Sequence, residues 1–346
     1  MTQDIKIKIS NLTKIFGPNA KSILKYVENG MNKDELLKKH KHVLGLSNIN
    51  LDLKNKNIEV IMGLSGSGKS TLIRHINRLI EPTVGSIVIE GEDVIQMSPE
   101  KLRRFRQEKT AMVFQSFALL PHKTVMDNVC YGIHLQGITG AVAEKRAQRW
   151  IDRVGLDGYE DRYPSQLSGG MKQRVGLARA LTCDTEILMM DEAFSALDPL
   201  IRSDMQDLLL ELQSELHKTV IFITHDLDEA LKIGDQIAIL NAGELIQHGS
   251  TQDILMHPAD DYVTDFVKKV NRSHVLHAES VMISDKPSEA GTNVIVKESD
   301  TIDNVLCELL RNNAAYAVVQ NDSGLDTGYL TKRCIAQVVK PLAAED

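Results

Sequence analysis

Short, almost wholly apolar runs recur along the chain and alternate with segments of helical periodicity. The runs lie at residues 58–62, 111–114, 187–190, 220–223 and 237–240. Strands that are buried on both faces have this pattern, whereas strands with one solvated face alternate apolar and polar residues. The pattern therefore predicts an α/β fold, in which a mostly parallel sheet is covered by helices on both faces.

Apart from the run at 58–62, the strands expected in the first hundred residues follow a different pattern. Ile5, Ile7 and Ile9 alternate with lysines, which predicts an edge strand with one solvated face. Two further strands are expected, at 46–53 and in the glycine-bounded stretch 85–91.

Two helices are also expected, at 99–107 and at 143–154. The first has Ser98 as its N-cap, since serine accepts hydrogen bonds from free N–H groups at a helix start.

The composition changes after Val270, where the chain becomes polar and rich in turn residues over 280–293. We interpret this stretch as a linker or long loop. The strands and helices expected beyond it form one small β-α-β-β-α unit. The sequence thus predicts two domains, at residues 1–272 and 273–346.

Overall composition excludes several classes of protein. The 346 residues are 42% hydrophobic and 25% charged, with a net charge of −7, which argues against broad capture of nucleic acid. There is no apolar stretch of membrane-spanning length, and the first residues lack the apolar centre of a signal peptide. The four cysteines have no zinc-site spacing, so we expect free thiols in a reducing compartment.

The strongest chemical signal is the segment GLSGSGKST at residues 63–71. It satisfies the phosphate-loop pattern, follows a predicted strand and precedes a predicted helix. Such a loop turns backbone N–H groups toward phosphates, its lysine adds a point charge, and its serine hydroxyl reaches Mg²⁺. The sequence therefore predicts a nucleoside triphosphate site. The residues assigned to it are Gly63, Ser65, Gly66, Ser67, Gly68, Lys69, Ser70 and Thr71.

Two features upstream of this loop bear on the same site. Phe16 is a candidate for stacking on the adenine base, although a single phenylalanine is also a common core residue. The lysine-rich segment between Pro18 and Val43 has helical spacing. Its pattern favours a solvated surface helix over the alternative, an insertion close to the nucleotide.

Polar residues end the other predicted strands. Asp191 is placed to hold Mg²⁺ opposite Ser70, and Glu192 to accept a proton from the attacking water. Gln115 is a candidate contact to Mg²⁺ or to that water, and His225 to the γ-phosphate. Together with Lys69 these residues supply the positioning and charge neutralisation that phosphoryl transfer requires.

A second anion site is predicted in the segment LSGGM at 167–171. Ser168 caps a helix whose first turn contains Gly169 and Gly170, so free N–H groups and the helix dipole face an anion. With this segment the sequence resembles the ATPase subunits of ABC transporters. Its motifs stand in the family's order: phosphate loop, Gln115, LSGGM, Asp191, Glu192, the segment 195–198 and His225. The resemblance implies a parallel sheet core, an antiparallel β subdomain and a helical subdomain. It also implies a homodimer in which Ser168 and Gly170 of one copy close over ATP held by the other.

Three segments (62–65, 112–122 and 191–202) resemble the glycine betaine/proline branch of that family, and so does the insertion between Phe16 and Gly63, which includes Lys25 and Tyr26. The resemblance implies that the chain powers import of a quaternary amine such as glycine betaine, choline, carnitine or proline betaine. It also implies permease subunits as partners, a separate substrate-binding protein, and a place at the cytoplasmic face of the membrane. Members of the branch end in two CBS regulatory motifs, whereas this chain resembles the branch with a single CBS-like motif, at about 273–339. The role of this unit stays open between regulation and packing alone. Two other interpretations stay open, an importer for another amino acid or cation and a soluble, non-transport ABC ATPase.

Overall fold

The computed structural model describes residues 4–268, 270–287 and 291–339. Two compact units divide between His248 and Gly249. The boundary predicted between residues 272 and 273 therefore falls inside the second unit, because two short helices after residue 250 group with the C-terminal part of the chain.

The first unit contains two sheets and most of the helices. Its elements are β1 (Ile5–Phe16), α1 (Ala20–Glu28), α2 (Lys33–His40), β2 (Val43–Lys54), β3 (Ile58–Met62), α3 (Lys69–Ile76), β4 (Val84–Ile89), β5 (Glu92–Asp93), α4 (Pro99–Glu108), β6 (Thr110–Phe114), α5 (Val125–Leu135), α6 (Ala141–Arg153), α7 (Gly169–Thr182), β7 (Ile187–Asp191), α8 (Pro199–Leu216), β8 (Thr219–Thr224), α9 (Leu227–Ile233), β9 (Gln236–Asn241) and β10 (Glu244–Ser250).

The larger sheet has six strands in the order β10-β9-β3-β8-β7-β6. The pairs from β9 through β6 are all parallel, as the apolar runs predict. Every residue of β3, β7 and β8 is buried. The carboxyl ends of parallel strands lie at one edge of a sheet, so the residues that follow β3, β6, β7 and β8 are brought together.

The smaller sheet is antiparallel and has the order β2-β1-β4-β5. The prediction that the first strand lies at an edge is wrong, since β1 pairs with a strand on each side. Ile7 and Ile9 are buried as expected, but Lys6 is only 7% exposed. Its amino group forms ion pairs with Glu90 and Glu186. Local alternation does not reveal such distant partners.

Lys6 belongs to a cluster of four charges that links the two sheets. Lys109, which precedes β6, contacts Glu186 at 2.6 Å and Glu90 at 2.9 Å. Hydrogen bonds from Lys109 and from Lys6 lower the pKa of Glu186 to about 2. The carboxylate of Glu186 is thus stabilised in the folded state.

This cluster predicts a loss of stability in acid. The contribution of Glu186 is complete above its unfolded pKa, near 4.5, and disappears as pH falls toward 2. Glu186 is half exposed, so we expect Glu186→Gln to cost about 1 kcal/mol at pH 7 and nothing near pH 2. Urea unfolding at several pH values measures this. Glu92→Gln, which removes an exposed ion pair with Lys101, is the control. Equal pH profiles for wild type and Glu186→Gln would contradict the assignment.

The lysine-rich segment forms two helices, α1 and α2, that lie at the surface as the pattern favours and pack on the first unit through one apolar face. Leu36 of α2 is fully buried against Ile15 and Leu44, and apolar residues of α1 pack on the same cluster. Ser98 caps α4 as predicted, because its side chain accepts a hydrogen bond from the N–H of Lys101.

The second unit contains α10 (Thr251–Met256), α11 (Asp261–Val267), α12 (Ala278–Val281), β11 (Asn293–Lys297), α13 (Ile302–Arg311), β12 (Tyr316–Gln320), β13 (Asp326–Thr331) and α14 (Lys332–Val339). The predicted β-α-β-β-α order is present from β11 to α14. Strand β12 pairs parallel with β11 and antiparallel with β13. The predicted linker overlaps α12, and its residues 288–290 lie outside the described residues. Among the described residues, no helix has the length and apolar character needed to cross a membrane.

Candidate nucleotide-binding site

The phosphate loop lies between β3 and α3, where the strand–loop–helix pattern predicts it. Gly63 has φ +147°, and a Cβ built on it would lie 2.1 Å from the carbonyl oxygen of Leu240. Gly68 has φ +108°, and its Cβ would lie 2.8 Å from the carbonyl oxygen of Gly45. Both glycines are required by backbone conformation and by close approach of another chain segment.

These contacts predict different costs for two alanine substitutions in one loop. Gly63→Ala should destabilise the protein by about 2–4 kcal/mol, because neither the backbone angle nor the space allows a methyl group. Gly66 also has a positive φ, +79°, but nothing lies within 4 Å of its Cβ position. Gly66→Ala should therefore cost about 1–2 kcal/mol, for backbone conformation alone. Thermal and urea unfolding of both variants test the difference, and equal losses would contradict it.

Lys69, the first residue of α3, is 4% exposed. Its Nζ donates to the carbonyl oxygens of Gly63 at 2.8 Å and Leu64 at 3.1 Å. Burial lowers the pKa of Lys69, and the carboxylate of Glu192, 3.7 Å from Nζ, opposes that shift. A buried ammonium group is stabilised by a close anionic partner, and the carboxylate of Glu192 is 3.7 Å away. A bound phosphate would supply a closer one.

Ser70 and Asp191 meet across the sheet edge as the sequence predicts. The Oγ of Ser70 donates to Oδ1 of Asp191 at 2.8 Å, and Asp191 is 4% exposed. A hydroxyl and a carboxylate side by side are the hard oxygen ligands that Mg²⁺ accepts, so these residues fit that ion. Arg74, one turn after Ser70 on α3, contacts Oδ2 of Asp191 at 3.1 Å.

The other predicted catalytic residues lie around the carboxylate of Glu192. The amide of Gln115 donates to its Oε2 at 3.1 Å, and Nδ1 of His225 lies 3.9 Å from the same oxygen. Glu192 has φ +47°, a left-handed conformation that is uncommon for a residue with a side chain. Gln115 also donates to the hydroxyl of Ser195 at 3.4 Å. Residues from the ends of β6, β7 and β8 thus surround one carboxylate.

A cavity of about 510 Å³ joins the loop to these residues. Of the predicted residues it is lined by Phe16, Ser65, Gly66, Gly68, Lys69, Ser70, Thr71, Gln115 and Glu192. Ser67 is 4% exposed and does not line it, and its backbone instead ties the loop to Gly243. Gly45 faces the ring of Phe16, since a Cβ there would lie 2.6 Å from Cε2 of Phe16.

The second predicted anion site does not line this cavity. Ser168 is the N-cap of α7 and accepts a hydrogen bond from the N–H of Met171 at 3.3 Å. Ser168 and Gly169 are exposed, and Gly170 is half-buried. The site formed by these three residues is therefore open to an anion from outside the chain.

Sequence reasoning missed two charged residues at the nucleotide site. Arg74 follows Ser70 by four residues, a spacing that places both on one face of a helix, and this signal could have identified it. Lys33 of α2 also lines the cavity. Nothing in the local pattern distinguishes it from the other lysines of that segment.

Comparisons with known proteins assign the chain to a family. Residues 46–195 match the ABC transporter family. The chain is 52% identical over 278 residues to the glycine betaine transport ATP-binding protein OpuAA of Bacillus subtilis, covering 80% of this chain and 66% of that protein. It is 51% identical over 277 residues to the glycine betaine/proline betaine ATP-binding protein ProV of Escherichia coli, covering 80% and 69%.

A third relative matches over nearly its whole length. The trimethylamine N-oxide transport ATP-binding protein TmoW of Ruegeria pomeroyi is 41% identical over 332 residues, covering 94% of this chain and 95% of that protein. Among solved structures, the post-hydrolysis dimer of the ATP-binding cassette MJ0796 with ADP and Pi is similar. Its TM-score is 0.61 at 30% identity, covering 71% of this chain and 98% of that one. The predicted ABC-type fold is thereby confirmed.

Proposed function

Since the chain belongs to the ABC transporter family as an ATP-binding subunit, we propose that it hydrolyses ATP to drive import of a methylated ammonium compound. The observation that carries the proposal is the convergence of Lys69, Gln115 and His225 on Glu192 beside the phosphate loop.

The geometry gives each residue a role in hydrolysis. When ATP binds, the ammonium group of Lys69 contacts the phosphate oxygens in place of Glu192, from which it is 3.7 Å away without ATP. The carboxylate of Glu192 is then free to face the attacking water. Glu192 then takes a proton from the water, with Gln115 and His225 orienting it and the γ-phosphate. Ser70 and Asp191 would hold Mg²⁺, with Gln115 as a further candidate ligand. The ion neutralises charge on the phosphate oxygens when it is bound.

The exposed site at Ser168, Gly169 and Gly170 is the second half of this proposal. In a homodimer each copy presents this helix start to ATP held on the other copy, so that closure completes two sites. Support comes from the similar cassette that was solved as a dimer.

The partners in the membrane are permease subunits, which place this chain at the cytoplasmic face. We infer that they dock on the helices around Gln115 and residues 124–166. A cavity of about 570 Å³ opens on this region between α4 and α5, with Gly132 and Leu135 on one wall and Arg103 and Arg106 on the other. Arg103 is exposed and favours a permease segment that presents an acidic residue. Arg106 instead donates to the carbonyl oxygens of Asn77 and Arg78. A separate substrate-binding protein delivers the cargo.

The cargo is proposed from the transport systems that the relatives are named for. Glycine betaine and proline betaine are named for relatives about half identical over 80% of the chain. Trimethylamine N-oxide is a second candidate, favoured because the TmoW match extends over 94% of the chain and 95% of that relative. All three compounds carry a nitrogen with four substituents, as does choline.

The test uses this chain with its permease and binding protein in liposomes. ATP hydrolysis and uptake are followed with glycine betaine, proline betaine, choline, trimethylamine N-oxide or no substrate. Stimulation of both by one of these compounds supports the proposal and selects the cargo. If ATP is hydrolysed but no compound stimulates hydrolysis or is taken up, the cargo assignment is wrong and only the ATPase activity stands.

We propose that the single CBS-like unit is regulatory. Repeating the assay at low and high salt, and with added adenine nucleotides, tests this role. A response lost on truncation after Ser250, which removes the second unit, supports regulation, whereas unchanged behaviour returns the unit to a packing role.

A further inference from the structure

Residues 18–42, here called the insertion, contribute Lys33 to the lining of the nucleotide cavity. Their two helices pack on Ile15 and Leu44, which belong to the ends of β1 and β2. Those ends also carry Phe16 and Val43, both of which line the cavity. Burial of Leu36 at 0% exposure fixes α2 against the same strands.

The insertion is also held at both of its ends. His42 is 7% exposed, and its ring nitrogens lie 2.7 Å from the carbonyl oxygen of His40 and 2.8 Å from that of Pro18. A Cβ on Gly17 would lie 2.3 Å from this ring, so the glycine lets the imidazole pack directly on the backbone. The side chain of Asn32 caps α2 by accepting from the N–H of Glu35 at 3.0 Å. The first residue of α2 therefore has a defined position.

That first residue is Lys33. Its Nζ donates to the carbonyl oxygen of Gly66, within the phosphate loop, at 3.1 Å. Lys33 is half-buried and lines the cavity together with Lys69. The insertion thus brings a second ammonium group to the loop that binds phosphates.

We propose that Lys33 is a phosphate-binding residue of the ATP site, supplied by the insertion. A carbonyl oxygen is a weaker partner for an ammonium group than an ionised phosphate oxygen. When ATP enters, Lys33 turns from Gly66 to the phosphates, a movement within the cavity of about 510 Å³ that Lys33, Gly66 and Lys69 line together. This inference rests on the proposed ATPase function.

The test measures the affinity of the full chain for ATP with Mg²⁺, for wild type, Lys33→Ala, Lys33→Arg and Lys38→Ala. Lys38 is an exposed lysine on the same helix and is the matched control. We expect Lys33→Ala to weaken ATP binding about five- to tenfold, while Lys33→Arg keeps most of the affinity and Lys38→Ala all of it. Thermal unfolding should be the same for all four proteins.

Two further readouts separate a phosphate contact from a structural role. The loss in Lys33→Ala should be larger for ATP than for AMP, and ATP affinity should fall less steeply with salt than in wild type. Equal losses for ATP and AMP, or wild-type affinity in Lys33→Ala, would overturn the inference. Lys69→Ala is the reference. Suppose that wild type binds ATP and Lys69→Ala does not. Wild-type ATP affinity in Lys33→Ala then refutes this inference and leaves the proposed function intact. If wild type binds no ATP, the proposed function itself fails.

Discussion

Replacing Glu192 by glutamine should lower ATP turnover by about two to four orders of magnitude, the usual contribution of a positioned base. Glutamine has the same shape and keeps an oxygen that can accept from the amide of Gln115, now 3.1 Å from Oε2 of Glu192. It cannot take a proton from water. ATP binding should therefore stay within about threefold of wild type, since the phosphate contacts of Lys69 are unchanged.

Steady-state hydrolysis and equilibrium ATP binding are the two measurements. Glu211→Gln is the control, because Glu211 forms an exposed ion pair with Arg153 on the surface. It should leave both quantities unchanged. A Glu192→Gln variant that hydrolyses ATP at the wild-type rate would show that another group is the base.

Replacing Lys69 by alanine should abolish ATP binding, with a loss of at least about a hundredfold in affinity. The ammonium group is buried, and burial lowers the pKa of Lys69. A charge held out of water contributes more to phosphate binding than an exposed one does.

The matched control is Lys232→Ala, which breaks a surface ion pair of 2.7 Å with Asp207. It should bind ATP as wild type does. Lys69→Ala should also fold normally, because its removal deletes a desolvated charge and leaves the loop glycines in place. Affinity within a few fold of wild type for Lys69→Ala would contradict the site as described.

The chemistry at the sheet edge could be predicted from sequence because each part has a local signal. The phosphate loop is a contiguous motif, and Asp191 and His225 directly follow or end apolar strands. Parallel topology then brings these strand ends together without any further information. The contact of Ser70 with Asp191, 121 residues apart, was predictable in this way.

What could not be predicted depends on contacts between distant segments. Lys6 looks like a solvated residue of an edge strand until Glu90 and Glu186 are seen beside it. The insertion looks like a charged surface helix until Leu36 is placed against Ile15. Lys33 gains its position from that packing. In each case the residue type is ordinary, and tertiary partners decide its environment.

The central claim is that two copies close around ATP through the helix start at Ser168. The most direct measurement is the mass in solution of Glu192→Gln with Mg²⁺ and ATP, compared with the double variant Glu192→Gln/Ser168→Asp. Aspartate is as good an N-cap as serine, so α7 is preserved, but its charge opposes the γ-phosphate of the other copy. The account predicts an ATP-dependent dimer for the first protein and a monomer that still binds ATP for the second. A monomer in both, or a dimer that Ser168→Asp leaves intact, would contradict it.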